Sequence, residues 1–141
     1  MSGDRHFLDT NVLVYSFDLL DRRKADIAER LVTRALTSGL GVISYQVVQE
    51  FVNVGLKQFA NPMTVAEVER YFFRVLLPLM KISSSAPLFL QALQLQSSSK
   101  LAWYDSLIIA SALEGSCKVL YSEDLQHGQH FGDLVIENPF R

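Results

Sequence analysis

At 141 residues the chain is expected to form one domain spanning 1–141, long enough for a hydrophobic core without disulfide or metal staples. Hydrophobic residues make up 49% and charged residues 20%, a balance that excludes a disordered chain. A net charge of -2 gives no general attraction for nucleic acid, so any such binding must come from a local basic patch or from metal ions in an acidic pocket.

His6-Phe7-Leu8 is short, apolar and followed by polar residues, which predicts a buried strand ending near Asp9. A short helix is expected over Val12–Phe17. Arg23–Ser38 carries Ile27, Leu31, Val32 and Ala35 on one stripe and charges opposite, the pattern of an amphipathic helix that Gly39 stops. Val42-Ile43-Ser44 reads as a second strand and Tyr45–Lys57 as a helix with broad apolar cover, before Asn61-Pro62 breaks the chain. Thr64-Val65-Ala66-Glu67 is a capping box opening a helix that runs to about Leu77. Met80-Lys81-Ile82 is a third strand. Ser85-Ala86-Pro87 opens a helix that ends at the serines 97–99. Trp103–Glu114 is a helix stopped by Gly115, and Val119–Tyr121 and Leu134–Ile136 are the last strands. Strands alternating with helices predict an α/β fold with a mainly parallel sheet flanked by helices.

Cys117 is the only cysteine, which excludes an internal disulfide and points to a reducing compartment. No apolar run approaches the roughly 20 residues of a membrane span, and Met1–His6 lacks a signal-peptide pattern. The expected location is the cytoplasm, away from membranes.

In open parallel sheets, sites form beyond the carboxyl ends of the strands. Asp9 closes the first strand there, and Asp124 lies just past Val119–Tyr121. Glu50 interrupts the apolar face between Val48 and Phe51, and Asp105 opens the Trp103–Glu114 helix. Each has an ordinary structural use: Asp9 as a helix cap, Asp105 as a partner of a helix dipole, Glu50 in an ion pair, Asp124 in a turn. Convergence would change that, because two carboxylates about 4 Å apart repel by roughly 4 kcal/mol at an effective dielectric of about 20. A cluster of that kind protonates, recruits cations or binds metal, and hard divalent ions are the natural partners of oxygen ligands. Spacing alone does not establish that the four converge.

Phe7-Leu8-Asp9-Thr10-Asn11-Val12-Leu13 resembles the opening motif of PIN domains. Val48-Gln49-Glu50-Phe51 resembles their internal acidic helix, and Trp103 to Ala110 their third motif. Leu120-Tyr121-Ser122-Glu123-Asp124 to Gly128 resembles the last. Order and separations match over nearly the whole chain, and the branch it resembles is that of the VapC-like toxins of bacterial toxin–antitoxin pairs. The resemblance implies a PIN-like three-layer fold and a pocket in which Asp9, Glu50, Asp105 and Asp124 hold Mg²⁺ or Mn²⁺. It also implies single-stranded RNA cleavage leaving a 5′-phosphate and a 3′-hydroxyl, a homodimer, and an antitoxin partner. Thr10, Asn11 and Ser122 are carried over as polar groups that orient acids or waters.

Other features weigh less. His127 and His130 are spaced like weak metal ligands but lack a defined third ligand, and solvated loop positions are the more ordinary reading. Arg22-Arg23-Lys24 reads as a solvated turn rather than an RNA contact, and Trp103 and Tyr104 as packing residues rather than base-stacking platforms. A haloacid-dehalogenase type phosphatase or phosphotransferase is an alternative, but it needs an acid two residues after the nucleophile, where Asn11 stands, and a helical insertion that is absent. A non-catalytic protein-binding module of the same fold is another, opposed by four retained acids that would repel one another if they met.

Overall fold

The computed structural model describes residues 3–141. The first strand, β1 (His6–Leu8), is followed at once by α1 (Thr10–Tyr15), and then by α2 (Arg22–Ser38) and β2 (Gly41–Ser44). Next come α3 (Tyr45–Lys57) and α4 (Val65–Tyr71), which continues through a π-helical turn at Phe72–Leu76 into the short α5 (Leu77–Leu79). The chain then forms β3 (Met80–Ile82), α6 (Ala86–Ser99), α7 (Trp103–Glu114), β4 (Val119–Tyr121), β5 (His130–Phe131) and β6 (Leu134–Glu137). The expected α/β architecture is present: a six-stranded sheet in the order β3-β2-β1-β4-β6-β5, flanked by helices. All pairings are parallel except β5 with β6.

Local chemistry explains the element ends. Asp9 caps α1 by accepting from the Thr10 backbone N–H at 2.8 Å, so that helix starts two residues earlier than periodicity suggests. Gly39 closes α2 in the left-handed region (φ 73°), where a side chain would be strained. Gly41 then lets α2 lie close on β2, since a Cβ there would sit 2.3 Å from that of Ala35. The capping box is formed in full: Thr64 Oγ1 accepts from Glu67 N–H, and the Glu67 carboxylate accepts from Thr64 N–H.

Strands β1 and β2 are buried along their whole length, as expected of parallel strands covered on both faces. Phe7, Leu8, Ile43, Leu120 and Ile136 from the sheet pack with Leu13, Phe51, Leu88 and Ile109 from the helices, all under 2% exposed. Each such side chain contributes roughly 1.5–3 kcal/mol on burial. This core fixes the ends of β1 and β4, beyond which Asp9 and Asp124 lie, and the helices α3 and α7 that carry Glu50 and Asp105.

β5 is an addition to the expected strands; two residues are too few to leave a period-2 signature. It places His130 on an edge strand, and His127 Nδ1 accepts from the Asn138 N–H at 3.0 Å. Neither histidine lines the acidic cavity described below. Among the described residues no helix is long and apolar enough to cross a membrane.

Candidate active site

Asp9 sits just beyond β1, held in the sheet by a hydrogen bond from its backbone N–H to Tyr121 C=O at 3.0 Å. Its side chain is 8% exposed. One oxygen accepts from Thr10 N–H; the other accepts from Ser122 Oγ at 2.8 Å and from Asn11 Nδ2 at 3.5 Å. Ser122, fully buried just after β4, also accepts from the backbone N–H groups of Asp124 and Leu125, so one hydroxyl fixes both Asp9 and the loop carrying Asp124.

Asn11 spans the two ends of the site. Its amide N donates to Asp124 Oδ2 at 3.1 Å, and its amide O accepts from the Glu123 N–H at 3.3 Å. Thr10, one residue earlier, donates from its hydroxyl to Glu50 Oε1 at 2.6 Å, tying α1 to α3. Gln46, one turn before Glu50, donates to Glu50 Oε2 at 3.3 Å and to the Tyr104 C=O at 3.4 Å, which links α3 to the start of α7 and to Asp105 beside it. Asp105 itself has no side-chain hydrogen bond among the described residues.

Asp9, Glu50, Asp105 and Asp124 all line one cavity of about 520 Å³, together with Thr10, Asn11 and Gln46. Ser122 lies behind Asp9 rather than on the cavity wall. Burial raises the Asp9 carboxyl to about 6 against the opposing hydrogen bonds of Ser122 and Thr10, with the charges of Glu50 and Asp124 adding to the rise. Asp105 is also pushed up, first by burial and then by Asp124 and Glu50. The acids therefore sense one another electrostatically.

The donor set suits a hard divalent cation. Among the described residues no three His, Cys, Asp or Glu side chains meet as a ready-made cage. Mg²⁺ does not need such a cage, because it keeps several waters and takes one or two carboxylates. Oxygen-bearing donors and a carboxylate raised by burial, with smaller additions from its acidic neighbours, match such an ion.

Three nearby residues escaped the sequence reading. Glu123 is paired with Lys24 at 2.5 Å and accepts from the Tyr15 hydroxyl, so Lys24 is the inner member of the basic run rather than a solvated one. Gln46 is 5% exposed, its role visible only once α3 and α7 are docked. Tyr104 is not a packing residue: it is 65% exposed at the cavity, whereas Trp103 packs near Phe89.

The profile of the PIN domain family matches residues 6–129, a span that takes in all four acids. The chain belongs to the PIN-domain family. This removes the haloacid-dehalogenase alternative. Its fold is shared by several solved structures. FitAcB from Neisseria gonorrhoeae aligns with a TM-score of 0.67 at 20% identity, over 96% of this chain and 98% of that one. A toxin–antitoxin complex from Klebsiella pneumoniae aligns at 0.66 and 20% identity, over 95% and 97%. VapC20 of Mycobacterium tuberculosis, a sarcin–ricin loop cleaving toxin, aligns at 0.63 and 20% identity, over 84% and 89%. A search of curated proteins gives no significant match.

Proposed function

We propose that this PIN-domain chain is an endoribonuclease that cuts single-stranded RNA with Mg²⁺ or Mn²⁺ held by Asp9, Glu50, Asp105 and Asp124, and that it is the toxin of a toxin–antitoxin pair. One observation carries the reading: four carboxylates from four separate segments line a single cavity, and the buried one is raised to about 6. Similarity to toxins and toxin–antitoxin complexes supports the biological setting.

The bound ion would supply an acidified water and neutralise charge at the phosphate and the leaving ribose oxygen. The chain's own residues do the positioning. Ser122 and the Thr10 N–H hold Asp9 as a carboxylate. Thr10 Oγ1 and Gln46 fix both oxygens of Glu50. Asn11 orients Asp124, and Asp105 is left free to turn toward an incoming cation. No histidine or lysine lines the cavity among the described residues, so proton transfer to the leaving oxygen is not assigned to a protein acid.

Two surface features support the proposed partners. An apolar groove of about 480 Å³, lined by Phe17, Leu19, Leu20, Phe59 and Met63, adjoins the acidic cavity and shares Val14 and Gln58 with it. An antitoxin segment with apolar residues in this groove and an Arg or Lys in the cavity would replace the metal's charge. A homodimer is proposed through the exposed Val65, Phe73 and Leu77; of the other apolar residues in this stretch, Val68 and Leu76 are buried in the chain's own core, which narrows the candidate face. The setting proposed is a single domain acting in the cytoplasm.

The direct test is incubation of the purified chain with single-stranded and duplex RNA in Mg²⁺, with the product ends identified. Cleavage of the single strand to 5′-phosphate and 3′-hydroxyl ends is expected. Inert RNA in every metal tried would favour the non-catalytic binding module.

A further inference from the structure

A second, smaller cavity lies at the opposite end of the central strands. His6 and Val119 begin β1 and β4, and Leu40 directly precedes β2; with Arg5, Arg34 and Tyr121 they line a cavity of about 180 Å³. The acids described above lie past the other ends of these parallel strands.

Four buried side-chain polar atoms have no hydrogen-bond partner among the described residues, and two of them, Arg5 Nε and His6 Nε2, belong to residues lining this cavity. A buried polar atom left unmet is costly, and one that lines a cavity is open to a partner bound there. His6 is 7% exposed, with its ring edge-on to Tyr121, so it is held in place rather than free in solvent. Charge points the same way. Arg34 donates to the Tyr121 hydroxyl at 2.7 Å, and neither guanidinium has a carboxylate within ion-pair distance among the described residues. Asp4 contributes the one carboxylate of the lining and is exposed.

We propose that this cavity binds a small, proton-bearing oxyanion: inorganic phosphate, or a phosphomonoester as its singly protonated monoanion. His6 Nδ1 faces the Asp4 C=O at 3.4 Å, and a carbonyl only accepts, so the neutral ring carries its proton there and presents Nε2 as an acceptor. A phosphate hydroxyl donates to Nε2 while its charged oxygens accept from Arg5 and Arg34. A phosphodiester has no proton to give, which separates this ligand from an RNA backbone. The volume is below the roughly 300 Å³ of drug-sized ligand sites and fits one small anion with a few waters of about 30 Å³ each.

The test uses the whole chain, with inorganic phosphate as probe at ionic strength held constant with chloride. The His6 ring signals are followed by NMR and the affinity by calorimetry. A saturable one-to-one shift of His6 is expected. Arg34→Gln, at an exposed position that the core does not need, is expected to weaken binding about tenfold or more, the scale of a charge-assisted hydrogen bond. Dimethyl phosphate is expected to bind at least about tenfold more weakly than phosphate. Absence of a saturable His6 shift in the unmodified chain, or undiminished binding by Arg34→Gln, overturns the site. Equal binding of dimethyl phosphate overturns the phosphomonoester assignment and leaves a reader of backbone charge. RNA cleavage is not part of the readout, so the result is independent of the ribonuclease proposal.

Discussion

Ser122 donates its hydroxyl to Asp9 Oδ2 at 2.8 Å across 113 residues of sequence, in a pocket where Ser122 is fully buried and Asp9 nearly so. This bond opposes the burial that raises the Asp9 carboxyl to about 6. Ser122→Ala is therefore expected to raise it further and to move the acid limb of the pH–rate profile upward. It also removes a hydrogen bond to a charged group, costing about 1.5–3 kcal/mol of stability above neutral pH. Urea unfolding and the pH–rate profile check both. An unshifted profile would remove Ser122 from the positioning of Asp9.

The Asp9 carboxyl also predicts a pH-dependent stability for the metal-free chain. Its folded value, about 6, lies above its ordinary 3.8, so the folded state holds the proton more tightly. The resulting penalty is absent below about 3.8, grows as pH rises through that interval, and is complete above about 6. Its full size is about 3 kcal/mol, because each tenfold gain in proton affinity on folding is worth about 1.4 kcal/mol. In chelator, Asp9→Asn is expected to be more stable than the unmodified chain at about pH 7.5, by up to that amount. The gap should close toward about pH 4. Urea titrations across this range measure it, and a gap independent of pH would contradict the argument.

Thr10 is expected to act through Glu50. Its hydroxyl donates to Glu50 Oε1 at 2.6 Å, and no other hydroxyl does so among the described residues. Thr10→Val keeps the shape and loses the donor. About a tenfold higher metal requirement for cleavage is expected, the worth of one charge-assisted hydrogen bond, with recovery in Thr10→Ser. A metal titration unchanged in Thr10→Val would show that Glu50 needs no such orientation.

Much of this was legible in the sequence because it is local. Apolar triplets next to polar residues marked the strands, Gly39 and Thr64-x-x-Glu67 marked helix ends, and Asp9 stood where a parallel strand ends. Glu50 was conspicuous as an acid on an apolar face. What could not be read is set by docking. The Thr10–Glu50 and Ser122–Asp9 bonds join residues 40 and 113 positions apart. Lys24 looked solvated because Glu123, its partner, is 99 residues away. Tyr104 looked like core because aromatic residues usually are, and only the docking of α7 beside Gln46 leaves it exposed. The π-turn at Phe72–Leu76 follows helical periodicity closely enough to be indistinguishable from an α-helix by pattern.

Association is expected to depend on the exposed apolar face near α4. Sedimentation at micromolar concentration should show a dimer, and Phe73→Glu, at a side chain 61% exposed, should give a folded monomer. A monomer in the unmodified chain would remove the dimer from the account.

The central claim is that the four-acid cavity holds the metal that cuts RNA. Its most direct measurement is the cleavage rate of single-stranded RNA by the unmodified chain and by Asp9→Asn, each in Mg²⁺, in excess EDTA, and in EDTA followed by excess Mn²⁺. The unmodified chain is expected to cleave in Mg²⁺, stop in EDTA and recover in Mn²⁺. Asp9→Asn, nearly isosteric, is expected to melt cooperatively and to lose at least about two orders of magnitude in rate, the scale of a few kcal/mol of transition-state electrostatics. Full-speed cleavage in EDTA, or an Asp9→Asn variant as active as the unmodified chain, would contradict the claim.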